Sequence, residues 1–277
     1  MSHTPNNHLS TTRPTALRIL TLTAVLCCGM IRAEPEEVVV VGTALDTIVT
    51  HVSSIVSVNR DNQIARWNRS LCLRTEGLPE DHLHILRERV ANASQSVRLS
   101  LLDEGCAENV LLFFASDAER VGRQLAQHFE IPLRQDGIAR VQNFMASQAP
   151  VRWINTYDRC GFGCRLANSR ITASSAPSID FMLIVVDVTQ IEDSDFEDIA
   201  DYIAFVILTN PALQPKPAVE SILSLFDGWQ SDVPIGGLSI YDQAYLEALY
   251  TVPMDRFLDG QRHAIGGRMF SRLNALQ

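Results

Sequence analysis

The sequence predicts an α+β fold, a mixed sheet with packed helices, and three observations carry that expectation. Apolar residues recur at helical and then at strand-like spacing, in alternation, from residue 45 to about 130. The run 181–188, apolar apart from Asp187, leads through an acidic turn into an apolar helix. With 277 residues, 46% of them hydrophobic, the chain can bury a sizeable core.

The first 33 residues stand apart. They hold no Asp or Glu, carry Arg13 and Arg18, and run apolar from Ile19 to Met30 except for two threonines. This is the pattern of a secretory signal peptide, and cleavage after Ala33 is expected. The apolar run is 12 residues long, too short to cross about 30 Å of hydrocarbon as a helix. A lipid-anchored start at Cys27 or Cys28 is disfavoured, since Leu26 or Cys27 would stand where a small residue is preferred. The expected location is exported, either periplasmic or envelope-associated, with membrane contact at most through the N-terminus.

Loss of residues 1–33 removes three arginines and no acid, leaving 20 basic against 32 acidic side chains, a net charge of −12. Such a surface repels nucleic acid and anionic lipid. Four cysteines remain: Cys72, Cys106, Cys160 and Cys164. An even count in an exported chain reads as disulfides. The preferred pairing is Cys72 with Cys106 and Cys160 with Cys164, because a glycine-rich turn brings the second pair together; four cysteines allow three connectivities. A four-thiolate zinc site lacks its paired two-residue spacers.

The elements follow in order. Residues 34–44 read as an N-terminal strand or tether, and 45–277 as one α+β domain, with a sub-boundary weighed near 130–150. Leu45, Ile48, Val49, Val52, Ile55 and Val56 mark an amphipathic helix over 45–58. A turn at 59–62 precedes a strand over 63–67, which leads to Cys72. Pro79, with Glu80 and Asp81 behind it, opens a helix whose buried stripe is Leu83, Leu86, Val90 and Val97. His82 and His84 lie two apart on it and point in different directions, as surface histidines do. A buried strand spans 109–115, and a capping box from Ser116 to Glu119 starts a helix reaching Phe129.

Residues 151–157 read as a further strand, and 169–174 with 181–189 as a hairpin-like pair. Ser194 or Asp195 caps a largely buried helix over 196–209. After a proline-rich loop to Pro217, helices are expected at 219–226, at 242–250 behind the cap Ser239, and at 261–273.

The motifs of familiar catalysis are missing from the sequence: no HExxH, no G-x-S-x-G, no G-x-x-x-x-G-K-[ST]. His51, His82, His84, His128 and His263 have no familiar ligand spacing. With all four cysteines bonded, no thiol remains as a nucleophile. Asp187, Glu192, Asp193, Asp195, Glu197, Asp198 and Asp201 crowd one stretch. Paired carboxylates serve acid/base work or calcium, but the stretch has no glycine for a calcium loop, and a solvated helix N-terminus accounts for it. Asp201 is the exception. It sits within an apolar face, where an unpaired carboxylate is costly, so it needs an arginine partner or a groove.

The segments Asp201-Tyr-Ile-Ala-Phe205, Leu208-Thr-Asn210, Ser221-Ile-Leu-Ser-Leu-Phe226, Leu238-Ser-Ile-Tyr-Asp242 and Tyr245-Leu-Glu-Ala-Leu-Tyr250 resemble, in order and spacing, a group of exported bacterial proteins of unknown function. That group has a zincin-like, metallopeptidase-like C-terminal part. The resemblance covers 180–250 and implies a zincin-like C-terminal half; Ala65-Arg-Trp-Asn68 with Cys72 and Cys106 look like features of a degenerate branch. Aligned on the group's pattern, Asp201 and Tyr202 stand in place of a His-Glu pair and Phe205 in place of the third residue, while Asp242 is kept. Without the histidines and the glutamate, zinc loses its ligands and water its base.

No cofactor, metal site or catalytic residue is therefore expected. The favoured reading is a non-catalytic binding or envelope-accessory protein, with an unidentified protein partner in the cell envelope and Asp201, Tyr202 and Asp242 as cleft candidates. One alternative is a hydrolase using carboxylates around Asp201 and Asp242 with Arg170 or Arg152. Another rests on 36–42, which looks like the segment after the signal in TonB-dependent outer-membrane receptors, where an extended peptide adds as a strand.

Overall fold

Two strands too apolar to face water organise the chain. In the computed structural model, which describes residues 35–129, 133, 137–165, 169–170, 172–227 and 237–276, these are β2 (Val110–Ala115) and β4 (Ser178–Asp187). They pair in parallel at the centre of a sheet ordered β1-β2-β4-β3. The outer strands are β1 (Leu73–Glu76), parallel to β2, and β3 (Val151–Asp158), antiparallel to β4. The fold is α+β with a mixed sheet. The signal peptide assigned to 1–33, with Cys27 and Cys28, lies outside the described residues.

Seven α-helices accompany the sheet among the described residues: α1 (Pro35–Ile55), α2 (Glu80–Ser96), α3 (Ala118–His128), α4 (Ile138–Ala146), α5 (Phe196–Thr209), α6 (Ile240–Thr251) and α7 (Leu258–Asn274). Alternation along β4 divides the interior in two. Met182, Ile184 and Val186 enter the larger core with α2, α5, α6 and α7. Leu183 and Val185 enter a smaller core with Ala118 and Ala126 of α3 and Val141 and Phe144 of α4. Residues 44–277 form one compact unit, and those up to Thr43 another.

Helix α5 is the hub of the larger core, with every residue from Ile199 to Thr209 buried. A buried helix end must find partners for its last carbonyls. Trp67 Nε1 donates to Ile207 O at 2.7 Å, Tyr250 Oη to Leu208 O at 2.9 Å, and Asn210 N to Val206 O at 2.9 Å. Asn210 takes the left-handed conformation, φ 44°, that ends the helix. Both disulfides form as Cys72–Cys106 and Cys160–Cys164.

Several expectations need correction. The valine run within 34–44 is helical, continuous with α1, and not a strand; helix already formed extends at little nucleation cost, which outweighs a weak β preference. Residues 63–67 make only a single bridge, Arg66 to Ser178. Their backbone groups go to a side chain instead: Ile64 N–H donates to Gln261 Oε1 at 2.7 Å, and Gln261 Nε2 to Ile64 O at 3.3 Å. The segment 169–174 does not pair with β4, whose antiparallel partner is β3. It folds back on the Cys160–Cys164 loop, Arg165 N donating to Ser174 O at 2.7 Å. The helix expected at 219–226 shrinks to the 3-10 turn Ile222–Ser224, and α3 is capped by Asp117 rather than Ser116. Helix α4 was not foreseen; it begins at Gly137, φ 110°, without a side-chain cap.

Candidate functional site

Helix α5 carries Asp201 and Tyr202, two of the three cleft candidates, so its side chains come first. Asp195 caps it, accepting from Glu197 N at 2.8 Å, and the acidic first turn suits the helix dipole. Asp187 and Asp198 of the same stretch are occupied as well. Asp187 accepts from Thr189 Oγ1 at 2.7 Å and Gln190 Nε2 at 2.8 Å, and Asp198 from Gly237 N at 3.1 Å. Tyr202 and Phe205 face the core. The Tyr202 ring meets Phe226 edge-on at 4.9 Å, Phe205 lies 6.0 Å from Tyr245, and burial drives the Tyr202 phenol far above its usual range.

Asp242 is not a cleft residue either. It is 0% exposed, and its carboxylate accepts from Ser221 Oγ at 2.6 Å, Ile222 N at 2.8 Å and Ser239 N at 3.0 Å. Ser239 Oγ in return accepts from Asp242 N at 3.1 Å, completing a capping box at the start of α6. Burial pushes the Asp242 carboxyl up, and those hydrogen bonds pull it back. The residue ties the 3-10 turn to α6 and has no oxygen left for a substrate.

Asp201 behaves as its position demanded. It is 7% exposed and lies in a groove of about 390 Å³, walled by Arg89, Ser96, Leu246, Glu247 and Arg272. Its partner is Arg89 of α2, Nη1 standing 3.5 Å from Asp201 Oδ2, while the same guanidinium pairs with Glu197. Burial raises the Asp201 pKa, Arg89 lowers it, and Asp198 and Glu197 raise it further. Gly237, φ +79°, lies so close that a Cβ there would stand 3.1 Å from Asp201 Oδ2. The arginines considered from sequence are elsewhere. Arg152 is buried on β3, and its charge faces Asp187 and Glu119; Arg170 is exposed and lines a cavity beside Phe257. Tyr202, Asp242 and Arg152 are thus enclosed, and Arg170 lines a different cavity from Asp201. Among the described residues, no three His, Cys, Asp or Glu side chains gather as a metal ligand set.

A second surface escaped the sequence reading. Three adjoining cavities, of about 320, 470 and 510 Å³, cluster around the Cys160–Cys164 loop and the turn between α6 and α7. Arg66 lines the first, its guanidinium lying between the rings of Phe162, 5.2 Å away, and Tyr250, 5.4 Å away. It donates to the carbonyls of Leu249 and Val252 at the end of α6, and burial lowers its pKa to about 10. Phe162 and Phe257, 39% and 43% exposed, stand at the rims. The available signal was an arginine on each side of the cysteines, Arg159 and Arg165, in an acidic chain.

Scans against family models, curated proteins and solved structures each find no match.

Proposed function

We propose that this is an exported, periplasmic or envelope-associated protein that works by binding, on a degenerate metallopeptidase-like scaffold that does no catalysis at α5. One observation carries the reading: of the residues aligned with the catalytic pattern, Tyr202 and Phe205 are packing residues and Asp242 is a saturated cap. Asp201 alone opens on a groove, beside an arginine that already neutralises it. The enclosure of Asp242 weighs against the hydrolase alternative, which needs both carboxylates on one substrate. The two disulfides support export, and among the described residues no helix is long and apolar enough to cross a membrane.

The TonB-linked alternative needs an extended segment at 36–42, and α1 takes up those residues as helix. Cell fractionation with N-terminal mass spectrometry tests the export claim. The expected species is in the periplasmic or envelope fraction, begins near Glu34 and carries both disulfides. A cytoplasmic protein retaining residues 1–33, with four free thiols, would overturn it. Elemental analysis of the purified mature protein tests whether α5 holds a catalytic metal.

A further inference from the structure

We propose that the Cys160–Cys164 bond is a thiol–disulfide exchange site, reversibly opened by a dithiol, and that the Cys72–Cys106 bond is not. Both Cys160 and Cys164 are exposed. Cys164 lines two surface cavities, one with Arg66 and Arg165 and the other with Arg159 and Arg165, so an incoming thiolate can reach its sulfur. In the Cys72–Cys106 bond, by contrast, Cys72 is 2% exposed and Cys106 half-buried, and the bond spans 34 residues, tying the approach to β1 to the loop before β2.

Charge permits the open form. Exchange proceeds through thiolates, which neighbouring arginines stabilise, and a stabilised leaving thiolate departs faster. Arg159 pairs with Asp61 and Arg165 with Asp255. Arg66 pairs with carbonyls and rings, and no carboxylate partners it among the described residues. Asp158, which accepts from Cys160 N at 3.0 Å, brings the count to three carboxylates against three arginines, so the bond sits in near-neutral surroundings within an acidic chain.

The step balances as follows. A thiolate of the dithiol attacks Cys164 Sγ; the S–S bond breaks and its electron pair leaves on Cys160 Sγ as a thiolate, giving a mixed disulfide. The second thiol of the reductant loses its proton and attacks its own partner sulfur, releasing Cys164 as a thiolate. The dithiol is oxidised by two electrons to a disulfide, and its two protons become available to the two cysteines.

Two features make the change reversible. The covalent ring is small, with only four residues of separation. Backbone bonds also hold the loop to the segment that follows it: Phe162 N to Ala176 O at 2.9 Å, Ala176 N to Gly163 O at 3.1 Å and Arg165 N to Ser174 O at 2.7 Å. The reduced cysteines therefore stay near each other. What reduction removes is the covalent tie across the loop that presents the Phe162 ring to Arg66, so the redox state is felt at the end of α6.

The test titrates the folded mature protein with dithiothreitol buffers of stepped potential, quenches with an alkylating agent and assigns each cysteine by peptide mass spectrometry. Cys160 and Cys164 are expected to label first, with an exchange equilibrium at least 100-fold more favourable to reduction than that of Cys72–Cys106, or about 59 mV for two electrons. Arg165→Gln should slow the labelling, and trypsin should cut after Arg165 several-fold faster in the reduced protein. Simultaneous labelling of all four cysteines, or Cys72 and Cys106 first, would overturn the proposal. A Cys160→Ser/Cys164→Ser variant keeps the two readings apart: its circular dichroism should match the parent, and an unfolded variant would make the bond a structural staple instead.

Discussion

Asp242 and Asp201 are both carboxylates on largely buried helices, some forty positions apart, yet they meet opposite fates. Asp242 is enclosed and every oxygen is used, by donors from Ser221, Ile222 and Ser239. Asp201 borders a groove and has one long contact, 3.5 Å, to Arg89. A like contrast separates the two disulfides, one anchored at buried Cys72 and the other exposed at both cysteines. It teaches that burial alone does not identify a working group: the number of donors already committed to it does. Variants at these positions should therefore differ in the size of their effect in a fixed order.

The largest effects are expected at Asp242 and at the Cys72–Cys106 bond. Asp242→Ala leaves buried donors without an acceptor and removes the cap of α6, a loss of about 3 kcal/mol or more of unfolding free energy by urea titration. A loss under about 1 kcal/mol would mean that Asp242 is not the knot described. On loop-closure entropy, Cys72→Ser/Cys106→Ser should cost roughly 4 kcal/mol and Cys160→Ser/Cys164→Ser roughly 2 kcal/mol, read by the same titration under non-reducing conditions. Equal losses would erase the distinction between the two bonds.

His51 supplies a pH-dependent version of the enclosed case. It is fully buried, Nδ1 accepts from Ala218 N at 3.2 Å, and among the described residues Nε2 has no partner. Burial lowers its pKa from 6.5 to about 4. The unfolded chain takes up the proton first, so stability present above pH 6.5 is lost as pH falls towards 4, by about 3 kcal/mol. A His51→Leu variant should lose less over that window by the same margin; parallel curves for the two proteins would refute it. The smallest effect belongs to Asp201. Its folded pKa lies above the unfolded one, so ionisation costs stability at neutral pH and protonation restores it as pH falls. Asp201→Asn should be neutral to about 1 kcal/mol more stable at pH 7, and a clear destabilisation would show that the Arg89 pair is worth more than its desolvation.

Much of this was legible in local chemistry. The run 181–188 and the helix behind it announce themselves by apolar content, Asp195 by its place before the helix, and the exposed disulfide by its glycine-rich turn. Asp201 was legible as a carboxylate needing an arginine, though not which one, since Arg89 comes from a distant helix. The illegible parts depend on long-range pairing. The backbone of Ile64 is satisfied by Gln261, 197 positions away, so an extended run that looked like a strand is none. Strand β1 carries Arg74, Thr75 and Glu76, hardly a strand composition, and exists because β2 offers it an edge. Asp242 looked available because its donors, Ser221 and Ile222, come from a turn about twenty residues earlier.

The central claim is that α5 is a packing element whose aligned residues hold no catalytic metal, and elemental analysis of the purified mature protein tests it most directly. After exhaustive dialysis at pH 7, zinc and calcium are expected well below one per chain, with no difference between the parent and Asp201→Ala. A stoichiometric metal that survives dialysis and disappears in Asp201→Ala would contradict the account and return α5 to the role its position resembles.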